Sequence, residues 1–216
     1  MYNSHLDTKP PYDMKIEPFN PVIKDGKVYG RGACDAKASL TAFAFALLSI
    51  KRSGIPLKGD LIFTGVIGEE WGGSPGTRYI VKHGPTADMA VVGEPTQLKI
   101  AIAHKTGCNV KIRTIGKSTH SSVPHEGINA IVKMSKLIDA IERELPKKLA
   151  RKRHKFLGTS THTVALIQGG VYHGIVPDSC EITLNLRLIP GETQESIRTY
   201  FNEIIENVKK EDSDFK

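Results

Sequence analysis

Residues 60–68 read DLIFTGVIG, a short apolar run that ends in glycine and is followed directly by Glu69 and Glu70. Residues 88–93, DMAVVG, repeat this arrangement and are followed by Glu94. Helical patterns alternate with such runs, at residues 36–54 (AKASLTAFAFALLSIKRSG) and 76–84 (GTRYIVKHG). Short apolar strands that alternate with helices are typical of a mostly parallel α/β sheet. We therefore predict that residues 1–104 form an α/β domain.

The pattern changes after residue 104. It predicts a strand, a long helix, two strands and a second helix, at residues 107–116, 128–145, 162–170, 180–191 and 193–210. Strands that are not separated by helices favour a small α+β domain, with two helices covering one side of its sheet. We predict that residues 105–216 form this second domain.

The composition is that of an ordinary globular protein. The 216 residues are 39% apolar and 25% charged. There is no apolar run of about 20 residues and no leader pattern, so we expect a cytoplasmic protein without a membrane partner. The cysteines, Cys34, Cys108 and Cys180, lie far apart without a Cys-x-x-Cys pair, which disfavours a disulfide framework or a thiolate zinc site. We expect all three to be buried.

The net charge of +7 comes largely from residues 146–155, PKKLARKRHK. The surrounding sequence lacks the repeated aromatic and glycine positions of base-stacking proteins. This favours a solvated helix end with a basic loop and no nucleic-acid partner. An anion or nucleic-acid contact remains the alternative interpretation.

Polar residues follow several of the predicted strands. In residues 2–10, YNSHLDTKP, His5 and Asp7 are two apart and would face the same side of a strand. In residues 30–37, GRGACDAK, Asp35 follows a Gly-x-Gly turn. Sites in open α/β sheets form beyond the carboxyl ends of the strands. The residues predicted to meet at that edge are His5, Asp35, Glu69, Glu70 and Glu94.

Each of these residues has an ordinary explanation when taken alone. Asp35 could be a helix N-cap, Glu94 a turn acid and His5 a satisfied core histidine, while Glu69 and Glu70 could lie in a solvated loop. Together, converging carboxylates repel one another unless a cation neutralises them. Imidazole and carboxylate ligands without thiolate suit hydrolytic zinc, or manganese or cobalt. The sequence therefore predicts a metal site.

Four motifs in this order resemble one protein family: SHLDTKP (4–10), GRGACDAK (30–37), GEEWGG (68–73) and GEPT (93–96). They are similar to the zinc metallopeptidases and deacylases that include acetylornithine deacetylase, succinyl-diaminopimelate desuccinylase, aminoacylase and carboxypeptidase G. Residues 116–131 (GKSTHSSVPHEGINAI) and 185–193 (NLRLIPGET) resemble the inserted dimerisation domain, or lid, of that family. The resemblance thus covers essentially the whole chain.

The resemblance implies two zinc ions in each subunit. Asp35 would bridge them, His5 and Glu94 would complete one ion, and Glu70 would bind the other. Glu69 would be the general base. Residues 1–104 would then be a partial metal-binding catalytic domain.

Further roles are implied outside this ligand set. Asp7 matches an acid behind the metals that orients His5 or supports the bridging group. His120 matches a histidine that reaches the partner's site in a homodimer, although a surface histidine is the alternative and His125 lies close by. Arg187 matches an arginine that holds the substrate carboxylate, and a cross-strand salt bridge is its alternative. Gly174 replaces an asparagine of the family's lid.

The predicted function is metal-dependent hydrolysis of the amide bond in small N-acyl amino acids or peptides. The resemblance links glutamate at position 94 to deacylases and carboxypeptidases, and aspartate there to aminopeptidases and dipeptidases. Family members have a segment before the first strand and a final ligating histidine after the lid, so we expect a truncated and inactive chain. The alternatives are a non-catalytic relative with a dimer-forming lid, or a basic module that binds anions or nucleic acid.

Overall fold

The computed structural model describes residues 1–72 and 75–216. It divides the chain into two compact units, Met1–Ala101 and Ile102–Lys216. The last glycine of the GEEWGG motif, Gly73, lies outside the described residues. Within the described ranges, every helix is too short or too polar to cross a membrane.

The first unit contains a parallel sheet with β1 at its centre. Its elements in chain order are β1 (Tyr2–His5), β2 (Val22–Lys24), β3 (Lys27–Tyr29), α1 (Lys37–Ser53), β4 (Phe63–Val66), α2 (Pro75–His83) and β5 (Val91–Val92). β1 pairs in parallel with β4 on one side and with β5 on the other. The Phe43 ring of α1 stacks on Tyr2 of β1, with ring centroids 4.8 Å apart. The predicted parallel α/β arrangement is therefore confirmed.

One element of this unit was not predicted. β2 and β3 form an antiparallel hairpin that turns at Asp25 and Gly26. Both residues have positive φ, 51° and 71°, as a tight two-residue hairpin turn requires. All residues of both strands are exposed, so the hairpin lacks the alternation of buried and exposed positions that marks a strand in sequence.

The second unit is an antiparallel sheet packed against two helices. Its elements are β6 (Thr106–Ile115), a short 3₁₀ helix (Pro124–Glu126), α3 (Ala130–Leu149), β7 (Thr161–Gly169), β8 (Ser179–Leu188) and α4 (Gln194–Glu211). The strand order is β6-β8-β7. Alternate residues of β8 face the helices, and Ile182, Leu184 and Leu186 are fully buried there with the apolar faces of α3 and α4.

α3 ends four residues later than predicted. It continues through Pro146 to Leu149, although proline within a helix removes a backbone hydrogen bond. Leu145 and Leu149 lie one turn apart and are 0% and 1% exposed. Their burial in the core holds the last turn in helical conformation, because the apolar surface removed from water offsets the lost hydrogen bond.

Two surface expectations are partly revised. Lys148 and Lys152 of the basic segment pair with Glu203 and Glu192, so part of its charge is neutralised. The cysteine prediction holds for Cys180, which is buried, and only in part for Cys108, which is half-buried. It is wrong for Cys34, which is exposed directly before Asp35. Cys34 lies in the turn before α1, at the surface of the described part of the chain.

Candidate metal centre

β1 places His5 at the centre of the carboxyl edge of the parallel sheet. His5 is the last residue of the strand, and its side chain is only 1% exposed. The preceding Ser4 is also buried, and its Oγ donates a hydrogen bond to the carbonyl of Gly93, 2.8 Å away. This bond ties the end of β1 to the residue before Glu94. Sequence reasoning missed Ser4, whose only signal was a hydroxyl inside a buried strand.

Gly93 lets α1 approach the end of β5 closely. A Cβ atom at this position would lie 2.5 Å from Cβ of Ser39 and 2.8 Å from the ring of Phe43. Neither contact is tolerable, so only glycine fits here without movement of the helix. The position of Glu94 therefore depends on this close approach.

The orientation of the His5 ring is set by a backbone group. Its Nδ1 lies 2.9 Å from the carbonyl oxygen of Asp7, which can only accept, so Nδ1 carries a proton. Nε2 then faces Oδ1 of Asp35 at 2.9 Å and Oε1 of Glu94 at 3.7 Å. Burial lowers the pKa of His5, but the hydrogen bonds to Asp35 and to the Asp7 carbonyl, with the charge of Glu94, raise it above its ordinary value. Because Nδ1 is bonded to the Asp7 carbonyl, Nε2 is the nitrogen that can bind a metal ion.

The carboxylate of Asp7 has a different task. It accepts hydrogen bonds from the backbone N–H groups of Glu69, at 3.4 Å, and Glu70, at 3.1 Å. Burial acts to raise the pKa of Asp7, but these backbone donors hold it below its ordinary value. Asp7 therefore anchors the loop that follows β4, and its carbonyl rather than its carboxylate orients His5.

Three side chains form a compact group of potential metal ligands. One atom each of His5, Glu69 and Glu94 lies within 4.8 Å of the others. Asp35 also belongs to this group, because its Oδ1 lies 2.9 Å from Nε2 of His5. Two ligands about 2.1 Å from one tetrahedral ion lie roughly 3.4 Å apart, which the 3.7 Å between His5 and Glu94 matches closely. The spacing of His5 and Glu94 and the mixed imidazole and carboxylate donors fit a divalent cation.

The electrostatics of this group favour a cation. Burial and the neighbouring charge of Glu69 raise the pKa of Glu94 above its ordinary value. A carboxylate that resists ionisation beside other carboxylates is stabilised when a metal ion supplies the missing positive charge. The N-cap alternative for Asp35 is not seen, because α1 has Ala36 as its N-cap residue and makes no side-chain cap.

Glu70 faces a residue that the sequence analysis missed. Its Oε2 lies 3.1 Å from Nζ of Lys9, which also donates to the Glu70 carbonyl. The structure thus brings His5, Asp35, Glu69 and Glu94 together, whereas the Glu70 side chain is occupied by an ammonium group. The only signal in the sequence was a lysine two residues after Asp7.

The second unit carries the other two predicted residues. His120 is exposed, and its Nδ1 accepts a hydrogen bond from the backbone N–H of Ser122 at 3.2 Å. In the neutral ring this leaves Nε2–H as an outward donor. Arg187 is exposed on β8, where Glu181 on the same strand pairs with Lys111 and Arg113. The two salt bridges described on this sheet face are therefore made by residues other than Arg187.

The fold and this site define an α/β protein with a carboxylate-rich candidate metal centre at the edge of a parallel sheet. Residues 1–209 match the sequence model of the family described as Peptidase family M20/M25/M40, and the chain belongs to that family. The match confirms the family resemblance of the four motifs. The family is one of metal-dependent hydrolases, with which the ligand group around His5 agrees.

Individual relatives support this assignment. The chain is 31% identical over 210 residues to a peptidase M20 domain-containing protein of Schizosaccharomyces pombe, covering 96% of this chain and 49% of the relative. It is 30% identical to N-formyl-4-amino-5-aminomethyl-2-methylpyrimidine deformylase of Bacillus subtilis, covering 97% of this chain and 52% of that protein. A tripeptidase crystal structure from Staphylococcus aureus is similar with a TM-score of 0.64 and 26% identity, over 97% of this chain and 54% of that chain. The chain spans about half the length of these relatives.

Proposed function

We propose that the protein is a metal-dependent amidohydrolase that cleaves the amide bond of small N-acyl amino acids or peptides. The observation that carries this proposal is the convergence of His5, Asp35, Glu69 and Glu94 at one edge of the parallel sheet. The relatives named as a deformylase and a tripeptidase support hydrolysis of a C–N bond. Residues 1–104 are then the metal-binding part of the catalytic domain.

In this proposal His5, Asp35 and Glu94 would hold one Zn²⁺ ion, and Asp35 and Glu70 would hold a second. Co²⁺ or Mn²⁺ would suit the same ligands. A divalent cation bound there would act as a Lewis acid toward the amide carbonyl and lower the pKa of a bound water. The donation of His5 Nδ1–H to the Asp7 carbonyl keeps Nε2 directed at this position.

Glu69 is the proposed general base. It takes a proton from the attacking water as the oxygen bonds to the carbonyl carbon, and returns a proton to the amine nitrogen as the C–N bond breaks. The products are a carboxylic acid and an amine, so atoms and charges balance. The Asp7 carboxylate supports this step by fixing the backbone of the loop at Glu69.

The second unit, residues 105–216, is proposed as the lid and dimerisation domain. His120 would donate its Nε2–H to the oxyanion in the partner's site, and Arg187 would bind the substrate carboxylate with its planar fork of donors. Leu166 and Ile167, which are 67% and 59% exposed on the edge strand β7, support pairing of two copies there.

The cysteines are free, which supports the cytoplasm as the location.

Two substitutions in the full-length protein test the assignment. Asp35→Ala should lower the zinc content measured by mass spectrometry, because a shared ligand is lost. Glu69→Gln should retain zinc and lose about 10²-fold or more of turnover on N-acetyl amino acids, because only the base is removed. Glu17→Gln, at an exposed acid of the same unit, is the matched control and should change neither quantity.

Full zinc content in Asp35→Ala, or near-normal turnover in Glu69→Gln, would overturn these roles. The expectation that the 216-residue chain is inactive stays a prediction, and the same assay on that chain tests it.

A further inference from the structure

Lys9 makes a contact with Glu70 that the proposed mechanism does not use. Its Nζ lies 3.1 Å from Oε2 of Glu70 and also donates to the Glu70 carbonyl. The Glu70 side chain is 10% exposed, whereas the Lys9 side chain is 46% exposed. The carboxylate is therefore enclosed by protein, and the ammonium group reaches it from the solvent side.

The backbone N–H of Glu70 has a hydrogen-bond partner other than Lys9. It donates to Oδ2 of Asp7 at 3.1 Å, so the loop stays anchored when the lysine moves. Lysine is a flexible chain that ends in a compact charge, and its half-exposed stem can withdraw into water. The Asp7 hydrogen bond therefore still holds the loop at Glu70 when the Lys9 ammonium group leaves the carboxylate.

The contact is specific to one of the proposed ligands. In the ranges 1–72 and 75–216, Glu70 is the only proposed ligand within salt-bridge distance of a lysine. Lys37, the other lysine near the centre, donates instead to the carbonyl of Leu6 at 2.6 Å. Among the described residues, an ammonium group therefore contacts the Glu70 carboxylate, whereas no lysine lies within salt-bridge distance of Asp35 or Glu94.

We propose that Lys9 competes with a cation for the metal position that uses Glu70, and that it widens the difference in affinity between the two positions. A cation that binds Glu70 must displace the ammonium group, whereas a cation held by His5, Asp35 and Glu94 displaces no lysine. The protein then fills the His5 position first, and the Glu70 position only at higher metal concentration. This inference rests on the proposed function, because it assumes the two metal positions.

Zinc titration of the metal-free, full-length protein by calorimetry tests the competition directly. Lys9→Met keeps the length of the stem and removes the charge. The weaker of the two zinc affinities should become tighter by roughly three- to fivefold, as expected for removing one partly exposed ion-pair partner. The stronger affinity should change by less than about twofold. Lys9→Arg keeps the charge and should keep the weak affinity.

Lys37→Met is the matched control, because it removes the same charge near the centre without removing a carboxylate contact. It should change both affinities by less than about twofold. Equal tightening in Lys37→Met and Lys9→Met would show a general charge effect and overturn the competition. If two ions bind and neither affinity changes in Lys9→Met, the competition is also overturned, while the proposed function stays intact. A wild-type protein that binds no zinc would overturn both.

Discussion

The Nδ1 atom of His5 lies 2.9 Å from the backbone carbonyl oxygen of Asp7, while the Asp7 carboxylate accepts the N–H groups of Glu69 and Glu70. One residue therefore supports the ends of two strands through two different groups. The backbone group fixes the tautomer of His5, and the side chain fixes the loop after β4. Substitution of the side chain should separate these two tasks.

Asp7→Ala should destabilise the first unit and leave the orientation of His5 intact. Two partly buried N–H groups lose their acceptor, which costs about 1–2 kcal/mol of the free energy of unfolding measured with urea. Asp13→Ala, at an exposed acid of the same unit, is the control and should stay within about 0.5 kcal/mol of wild type. Equal stabilities of the two variants would contradict the anchoring role.

Substrate preference provides a second prediction. With glutamate at position 94 and Arg187 available for a carboxylate, N-formyl and N-acetyl amino acids should be hydrolysed in preference to peptides with a free amino terminus. We expect kcat/KM to differ by about tenfold or more in this direction for the full-length protein. Similarity to a tripeptidase makes tripeptides the right competitors. Efficient tripeptide cleavage beside inert N-acyl amino acids would refute the preference.

The third prediction concerns assembly. The full-length protein should sediment as a dimer, and Leu166→Lys should shift it to monomer, because a charge on an edge strand opposes strand pairing. Ile115→Lys is the control, since Ile115 is 57% exposed on β6 at the opposite edge of the sheet. A dimer that survives Leu166→Lys but dissociates with Ile115→Lys would place the interface at the other edge. A monomeric wild type would remove His120 from the mechanism.

A fourth prediction follows from Asp212, which joins the end of α4 to α3. Hydrogen bonds from Lys133 and then Lys136 lower the pKa of Asp212 to about 2. The unfolded carboxyl has a higher pKa, so this contribution is complete above about pH 4 and is lost as the pH falls toward 2. Asp212→Asn should cost roughly 2 kcal/mol at pH 6 and little at pH 2.

Urea unfolding at both pH values measures this difference. Asp214→Asn, at an exposed acid two residues further along, is the control and should show no such pH dependence. A constant difference between Asp212→Asn and wild type across this range would refute the electrostatic explanation.

The parallel sheet and the acids at its edge were predictable because apolar runs that end in glycine and acid mark the carboxyl ends of strands. The hairpin at Asp25 and Gly26 was missed because its exposed strands have no buried face to produce a pattern. The continuation of α3 through Pro146 depends on the burial of Leu149 in the core. Local helix propensity carries no information about that burial. The contact of Lys9 with Glu70 depends on the direction of a long flexible side chain. The spacing of residues in the sequence does not determine that direction.

The space at Gly93 restricts how this protein can be engineered. Saturation libraries aimed at new substrates usually randomise codons beside a ligand such as Glu94. At Gly93 every replacement side chain would place its Cβ only 2.5 Å from Cβ of Ser39. Such substitutions would displace α1, whatever they did to substrate selectivity. A screen that keeps this codon fixed and varies the codon of an exposed neighbour such as Pro95 would sample substitutions that leave this packing in place.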